Sequence, residues 1–289
     1  MTDWYKIKRW LIRVNWVEKQ FYPAIPEWNW DISKATTYTR LTTSSSSEQM
    51  EYWIQFNPDW TKWYSACYNA ANAPVIKQWT LSTPRDITTS TLQWSSQKGT
   101  GTGWGSYPSI YICNNGNYVY FCDNPHPSWT TWLIYLYSLS TPRDLSSTWT
   151  QIKTFSKQKI QRITWVSNDG KAFITTFDNA TNSRYMFYST SSTAWDWNSS
   201  WTTLMSYSGW NAFSNDWTKV YFTQDNSKVV YEYSLSTPYN PTTQTLVQSK
   251  TLDTVSNTQW IAFDIWWDNM YICANSRPSA NYVYQYSLT

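Results

Sequence analysis

The chain has 289 residues, 41% of them hydrophobic and 14% charged, with a net charge of +3. That is enough apolar matter for a large core, and the near balance of charge leaves no bulk signature of a nucleic-acid binder. No window approaches 18 consecutive apolar residues, so no membrane span is read, and residues 1–16 lack the apolar core of a signal peptide.

Residues 1–28 read as a separate module. Tyr5-Lys6-Ile7-Lys8-Arg9 and Leu11-Ile12-Arg13-Val14 alternate apolar and basic residues, turn at Asn15-Trp16, and return as Val17-Glu18-Lys19-Gln20-Phe21-Tyr22. A β-hairpin fits this pattern, and Pro23 and Pro26 form a stiff exit. Two roles stay open: an attachment hairpin that adds strands to an assembly partner, and a hairpin that caps the rest of the chain.

From residue 29 onward the chain repeats. Trp79-Thr80-Leu81-Ser82-Thr83-Pro84-Arg85-Asp86-Ile87 returns as Tyr137-Ser138-Leu139-Ser140-Thr141-Pro142-Arg143-Asp144-Leu145 and as Tyr233-Ser234-Leu235-Ser236-Thr237-Pro238. A degenerate copy begins at Phe187, and a truncated one ends the chain at Tyr286-Ser287-Leu288-Thr289. The markers 79, 137, 187, 233 and 286 are spaced by 58, 50, 46 and 53 residues, close to the ~50-residue period of a four-stranded propeller blade. Before each marker lie an apolar segment such as Trp53-Ile54-Gln55-Phe56, a turn, a short strand such as Lys219-Val220-Tyr221-Phe222, and a strand such as Val230-Tyr231-Glu232-Tyr233. These alternate with period 2 and are rich in β-branched and aromatic residues, so the fold class is all-β. The prolines mark the connection to a polar fourth strand, since Pro cannot sit inside a paired strand.

The last unit stops after three strands, whereas Trp30-Asp31-Ile32-Ser33-Lys34 resembles the segment that leads into a fourth strand at Arg143-Asp144-Leu145-Ser146. Fourth strands are therefore expected near 36, 90, 148, 200 and 244, with residues 34–41 pairing alongside 282–288. The expectation is a five-bladed β-propeller over residues 29–289, closed by its N-terminal outer strand, with a short N-terminal hairpin extension.

Two counts are abnormal: 7 Gly and 23 Trp. Ordinary usage gives about 20 Gly in a chain this long. Asn57-Pro58-Asp59-Trp60-Thr61-Lys62 and Ser214-Asn215-Asp216-Trp217-Thr218-Lys219 read as Asp-Gly turns with Gly replaced, and Asn15-Trp16 as an altered Asn-Gly turn. Ser167-Asn168-Asp169-Gly170 and Asn115-Gly116-Asn117 keep the glycine. Either the protein is truly Trp-rich, or its gene reads UGA as glycine and the sequence displays tryptophan there. The second reading predicts positive φ at Trp16, Trp60 and Trp217 with indoles turned to solvent, and a buried Trp79 in a strand.

The Asp-Gly-type turn, short strand and Tyr-Ser-Leu-Ser-Thr-Pro run resemble the propeller repeats of YVTN and WD40-like proteins of bacterial and phage type, over residues 30–289. That resemblance transfers no catalytic set. It implies an adhesion, scaffold or virion role, with a protein or a glycan held on a propeller face, and a virion-associated or extracellular setting.

Chemistry is sparse. Cys67, Cys113, Cys122 and Cys273 contain no Cys-x-x-Cys, so no zinc site is read, and all four are expected as thiols. Cys122 and Cys273 fall at second-strand positions filled elsewhere by Ala66, Thr175 and Thr223. The single His126 lies between two prolines, and no nucleophile set forms without it. The five glutamates are 18, 27, 48, 51 and 232. Glu232 holds a strand position filled by Gln in two other repeats. Asp59, Asp169 and Asp216 mark turns, and Asp86, Asp144 and Asp196 follow the markers, which suits Asp capping its own turn. No catalytic, cofactor-binding or metal residues are assigned, no cofactor is implied, and ligand-binding residues stay undetermined. The reading is a non-enzymatic binding or structural propeller, without nucleic acid. The alternatives are a lectin-like propeller, with loops 98–107 and 123–131 as candidate surfaces, and a glycosidase with paired carboxylates.

Overall fold

The structure is a computed structural model that describes residues 31–35, 38–44, 53–68, 73–98, 108–113, 115–123, 132–157, 160–166, 172–178, 184–190, 201–207, 209–214, 218–224, 227–238, 243–253, 255, 258–263, 269–276 and 280–288. The chain divides into a unit of residues 1–30 and a unit of residues 31–289. The expected hairpin, Trp16, His126 and Trp217 lie outside the described residues.

Five four-stranded antiparallel sheets follow one another. The first holds β2 (Trp53–Phe56), β3 (Lys62–Tyr68), β4 (Pro74–Leu81) and β5 (Ser90–Gln97). The second holds β6 (Ser109–Ile112), β7 (Tyr118–Asp123), β8 (Trp132–Leu139) and β9 (Trp149–Lys157). The third holds β10 (Ile160–Val166), β11 (Ala172–Asp178), β12 (Arg184–Thr190) and β13 (Trp201–Tyr207). The fourth holds β14 (Gly209–Phe213), β15 (Lys219–Gln224), β16 (Val229–Leu235) and β17 (Gln244–Thr251). The fifth holds β18 (Thr258–Phe263), β19 (Asn269–Ser276), β20 (Ala280–Ser287) and, as its outer strand, β1 (Tyr38–Ser44). Successive up-and-down sheets of this kind make the fold a β-propeller.

The opening strand begins later than the sequence suggests. Residues 32–34 form a 3-10 turn capped by Asp31, and Tyr38 pairs with Tyr286, Arg40 with Tyr284 and Leu41 with Val283. That turn repeats the 3-10 turn Ile87–Thr89, capped by Asp86, in front of β5.

Burial sorts the strands. All of β6 is buried, most of β4 is, and the outer strands β5 and β17 are largely exposed. The first strands pack side by side: β10 on β6, β6 on β2, β2 on β18, and β18 on β14. A continuous core of Trp53, Trp63, Ile76, Ile110, Phe121, Trp260 and Tyr271 runs through the junctions of the fifth, first and second sheets.

The outer strands carry one repeated device. β5, β9, β13 and β17 each shift register opposite the marker residue, at Gln78/Trp79, Leu136/Tyr137, Met186/Phe187 and Glu232/Tyr233. A bulge there twists the exposed edge away from regular pairing and blunts edge-to-edge association. β1 pairs without a shift opposite the marker Tyr286.

Candidate functional site

The chemistry-bearing side chains converge where one sheet meets the next. Tyr64, Tyr120, Tyr221 and Tyr271 occupy the same place in the second strands and are almost wholly buried. Opposite Tyr64, Tyr221 and Tyr271 in the third strands stand Gln78, Glu232 and Gln285. The first and last of these pairs reach into the Ser-Thr-Pro-Arg-Asp loop of the following sheet. Tyr64 O–H donates to the Arg143 carbonyl at 2.7 Å, and Leu145 N–H donates to Gln78 Oε1 at 2.7 Å. Tyr271 O–H donates to the Arg85 carbonyl at 2.9 Å, and Ile87 N–H donates to Gln285 Oε1 at 3.1 Å. At the fourth-to-fifth junction, Gln248 Nε2 donates both to Asp31 Oδ1 at 3.0 Å and to Glu232 Oε2 at 2.7 Å.

The loops themselves are built alike. Asp86 N–H donates to the Thr83 carbonyl and Asp144 N–H to that of Thr141, closing four-residue turns with Pro second and Arg third. Arg85 and Arg143 have φ of 71° and 57°. A turn of this kind reserves that position for Gly or Asn. Proline in the sequence predicted the turn, but nothing in it predicted a left-handed arginine. Asp31, Asp86 and Asp144 each accept from the backbone amide and hydroxyl two residues on, at Ser33, Thr88 and Ser146. The Ser146 and Gln78 hydrogen bonds hold the Asp144 carboxyl below its ordinary range against the opposing effect of burial. These aspartates are turn caps, as their repetition suggested.

Between the first and second sheets lies a small cleft of ≈ 40 Å³, lined by Gln55, Phe56, Asn57, Tyr64, Ile112 and Arg143 among others. Gln55 clamps the inner strand of the next sheet: its Nε2 donates to the Ile112 carbonyl at 2.8 Å, and Ile112 N–H donates to its Oε1 at 2.9 Å. Burial is the largest influence on Asp59 and opposes its charge. Hydrogen bonds from Thr61 and Asn57 and the Arg143 guanidinium outweigh it and hold the carboxyl below its ordinary range. Burial pushes the Tyr64 hydroxyl and the Cys113 thiol up. Pockets for drug-sized molecules run to about 300–1,000 Å³, so this cleft suits a few waters rather than a sugar ring.

Glu232 does not offer a solvent-facing acid. It is buried, with Lys219 Nζ 2.7 Å from its Oε1 and Gln248 on its other oxygen. Among the described residues no cluster of His, Cys, Asp and Glu could hold a metal ion, and no helix is long and apolar enough to cross a membrane. The four cysteines are buried thiols. Cys122 pairs with Ser109 at one end of the β6–β7 hairpin and Cys113 sits at its turn, so the two are separated along the strands. Ala66, Cys122, Thr175, Thr223 and Cys273 share one fully buried second-strand position.

At the turns between first and second strands the backbone has the expected positive φ, but the side chain does not lie where the glycine reading expects it. Trp60 has φ 59°, and Gly116, at the same place in the second sheet, has φ 76°. The indole of Trp60 is nevertheless only 4% exposed, contrary to the expectation of a solvent-facing ring. It stacks on Phe56 at 4.3 Å and lies 5.6 Å from Tyr271, because the turn directs it back over the junction. Its Nε1 is buried without a hydrogen-bond partner. Trp79 differs: it is buried as expected, stacks on Trp63 at 4.8 Å and donates to Ser65 Oγ at 3.1 Å.

No family model and no curated protein matches the chain. Solved structures are similar in fold at low identity. The β-propeller domain of Cps50 (Swd1) from Myceliophteria thermophila is 10% identical, covers 87% of this chain and 100% of its own, and has a TM-score of 0.45. A luciferin-regenerating enzyme is 7% identical over 87% of this chain and 95% of its own, with a TM-score of 0.49. The Dos1 propeller is 12% identical over 82% of this chain and 54% of its own, with a TM-score of 0.39.

Proposed function

We propose that this chain is a non-enzymatic binding or structural propeller, a virion or cell-surface component whose five sheets are the blades of one ring closed by β1. In this reading residues 1–28 attach the ring to an assembly partner, and a propeller face presents a surface to a protein or glycan. One observation carries it. The side chains of Tyr64, Tyr271, Gln78, Gln285 and Asp31 are engaged in joining sheet to sheet. Groups consumed in this way build a rigid scaffold and leave little for turnover. The test is activity on a panel of polysaccharides and small esters beside a pull-down with and without residues 1–28. The expected result is no turnover and loss of the captured partner on truncation. Hydrolysis that survives repurification overturns it.

A carbohydrate-binding propeller is the second reading, and one observation favours it. Trp94 and Trp149 are half-buried with ring centroids 6.3 Å apart, and Lys98 Nζ lies 4.6 Å above Trp149. Such an aromatic pair is a platform on which a sugar face stacks. Binding on a glycan array that Trp149→Ala abolishes selects this reading over the first.

The recoding reading belongs to the same proposal: a share of the tryptophans stand where the gene specifies glycine. Its support is the positive φ of Trp60. UGG codons at positions 16, 60 and 217 overturn it.

A further inference from the structure

Arg143 lies across Gly116. A Cβ on Gly116 would stand 2.5 Å from Arg143 Cγ, closer than real Cβ contacts allow, and 3.3 Å from its Nε. The arginine covers the turn of its own sheet, while its charge helps hold Asp59 of the preceding sheet ionised. The first sheet has the same parts in the same places. Arg85 also has positive φ, its carbonyl accepts from Tyr271 as that of Arg143 accepts from Tyr64, and its amide donates to the carbonyl of position 60. The amide bond is 3.4 Å at Trp60 and 2.9 Å at Gly116. Position 60 carries a Cβ, so Arg85 cannot take the place over it that Arg143 takes over Gly116.

We infer that position 60 is the seat of an arginine latch, and that with glycine there Arg85 closes across the turn as Arg143 does. The latch ties the first turn of a sheet to its Pro-Arg-Asp loop, on which the preceding sheet's tyrosine is docked. The Trp60 indole holds it open at the junction of the fifth and first sheets. This rests on the glycine reading of position 60 but goes beyond it, because it assigns Arg85 a contact that the present side chain blocks.

The test is a double-mutant cycle of Trp60→Gly and Arg85→Ala, read by thermal midpoint, with Arg143→Ala as the internal standard. Arg143→Ala lowers the midpoint by about 2–4 °C, the shift one such interaction gives in a large domain. Arg85→Ala lowers the midpoint less in the parent chain than in the Trp60→Gly background, where it lowers it as Arg143→Ala does. Equal effects of Arg85→Ala in both backgrounds overturn the latch while leaving the glycine reading standing. A Trp60→Gly chain that fails to fold overturns both.

Discussion

The turn at Trp60 and the turn at Gly116 have one backbone and two side chains. In both, a sheet's first strand ends, the residue at the bend has positive φ, its N–H donates three residues back, and its carbonyl receives an arginine amide. The acidic or amide cap is the same too: Thr61 N–H donates to Asp59 Oδ1 at 3.0 Å, and Asn117 N–H donates to Asn115 Oδ1 at 2.9 Å. The geometry is therefore set by the repeat and not by the residue at the bend. Glycine occupies it without strain. Tryptophan occupies it with a left-handed backbone, a buried indole N–H without a partner and a longer arginine contact.

The comparison is sharpened most by two tryptophans of unlike standing. Trp79→Gly should cost about 3–5 kcal/mol, the usual loss for emptying a large aromatic site. Trp60→Gly loses similar burial, but regains about 1–2 kcal/mol of left-handed strain and about 1–3 kcal/mol from the unpartnered indole N–H. Its midpoint should stay close to that of the parent. Parallel melts measure both, and equal losses would make Trp60 an ordinary core residue.

Gly116→Trp imposes the first turn on the second. Left-handed strain of about 1–2 kcal/mol and displacement of Arg143, an overpacking cost of about 1–3 kcal/mol, should add to a loss of about 2–5 kcal/mol in denaturant melts. A neutral outcome would mean that the second junction accepts an indole as readily as the first.

Tyr64→Phe and Tyr271→Phe each remove one inter-sheet hydrogen bond to an arginine carbonyl. Each should cost about 1 kcal/mol. The loss at Tyr271 should be the smaller, since Trp60 stacks over that ring and packing there is set by the indole.

The smallest effect is in acid. Asp59 has a lowered carboxyl pKa, so its contribution is complete above the ordinary value of 3.8 and is lost as pH falls through the folded value. Asn115, its counterpart, does not titrate. Asp59→Asn should lower stability at neutral pH by about the amount that acid removes from the parent, and flatten the loss below pH 3.8, measured by melts across that range.

Much of the fold was legible because it repeats. Period-2 strands, the Pro-bearing connection and the truncated last unit pointed to four-stranded sheets and to a fourth strand borrowed from the front of the chain, which pairs as β1 with β20. Asp86 and Asp144 as caps followed from their recurrence after the markers. The junction chemistry was not legible. No sequence signal singles out Gln78 or Tyr64, and only the packing of one sheet on the next turns them toward the Arg143-Asp144-Leu145 backbone. The left-handed arginines also gave no signal, since Arg is an unusual choice there. The Trp60 indole points away from solvent for a related reason. A turn is a surface feature within one sheet, but in a stack of sheets its side chain can fall on a neighbour.

The most direct test of a glycine-built position is a crystal structure of Trp60→Gly. The account predicts that φ at residue 60 stays positive, that the Arg85 amide contact shortens from 3.4 Å to the 2.9 Å seen at Gly116, and that Arg85 Cγ moves over the turn. A backbone that relaxes to negative φ, with Arg85 unmoved, would contradict it.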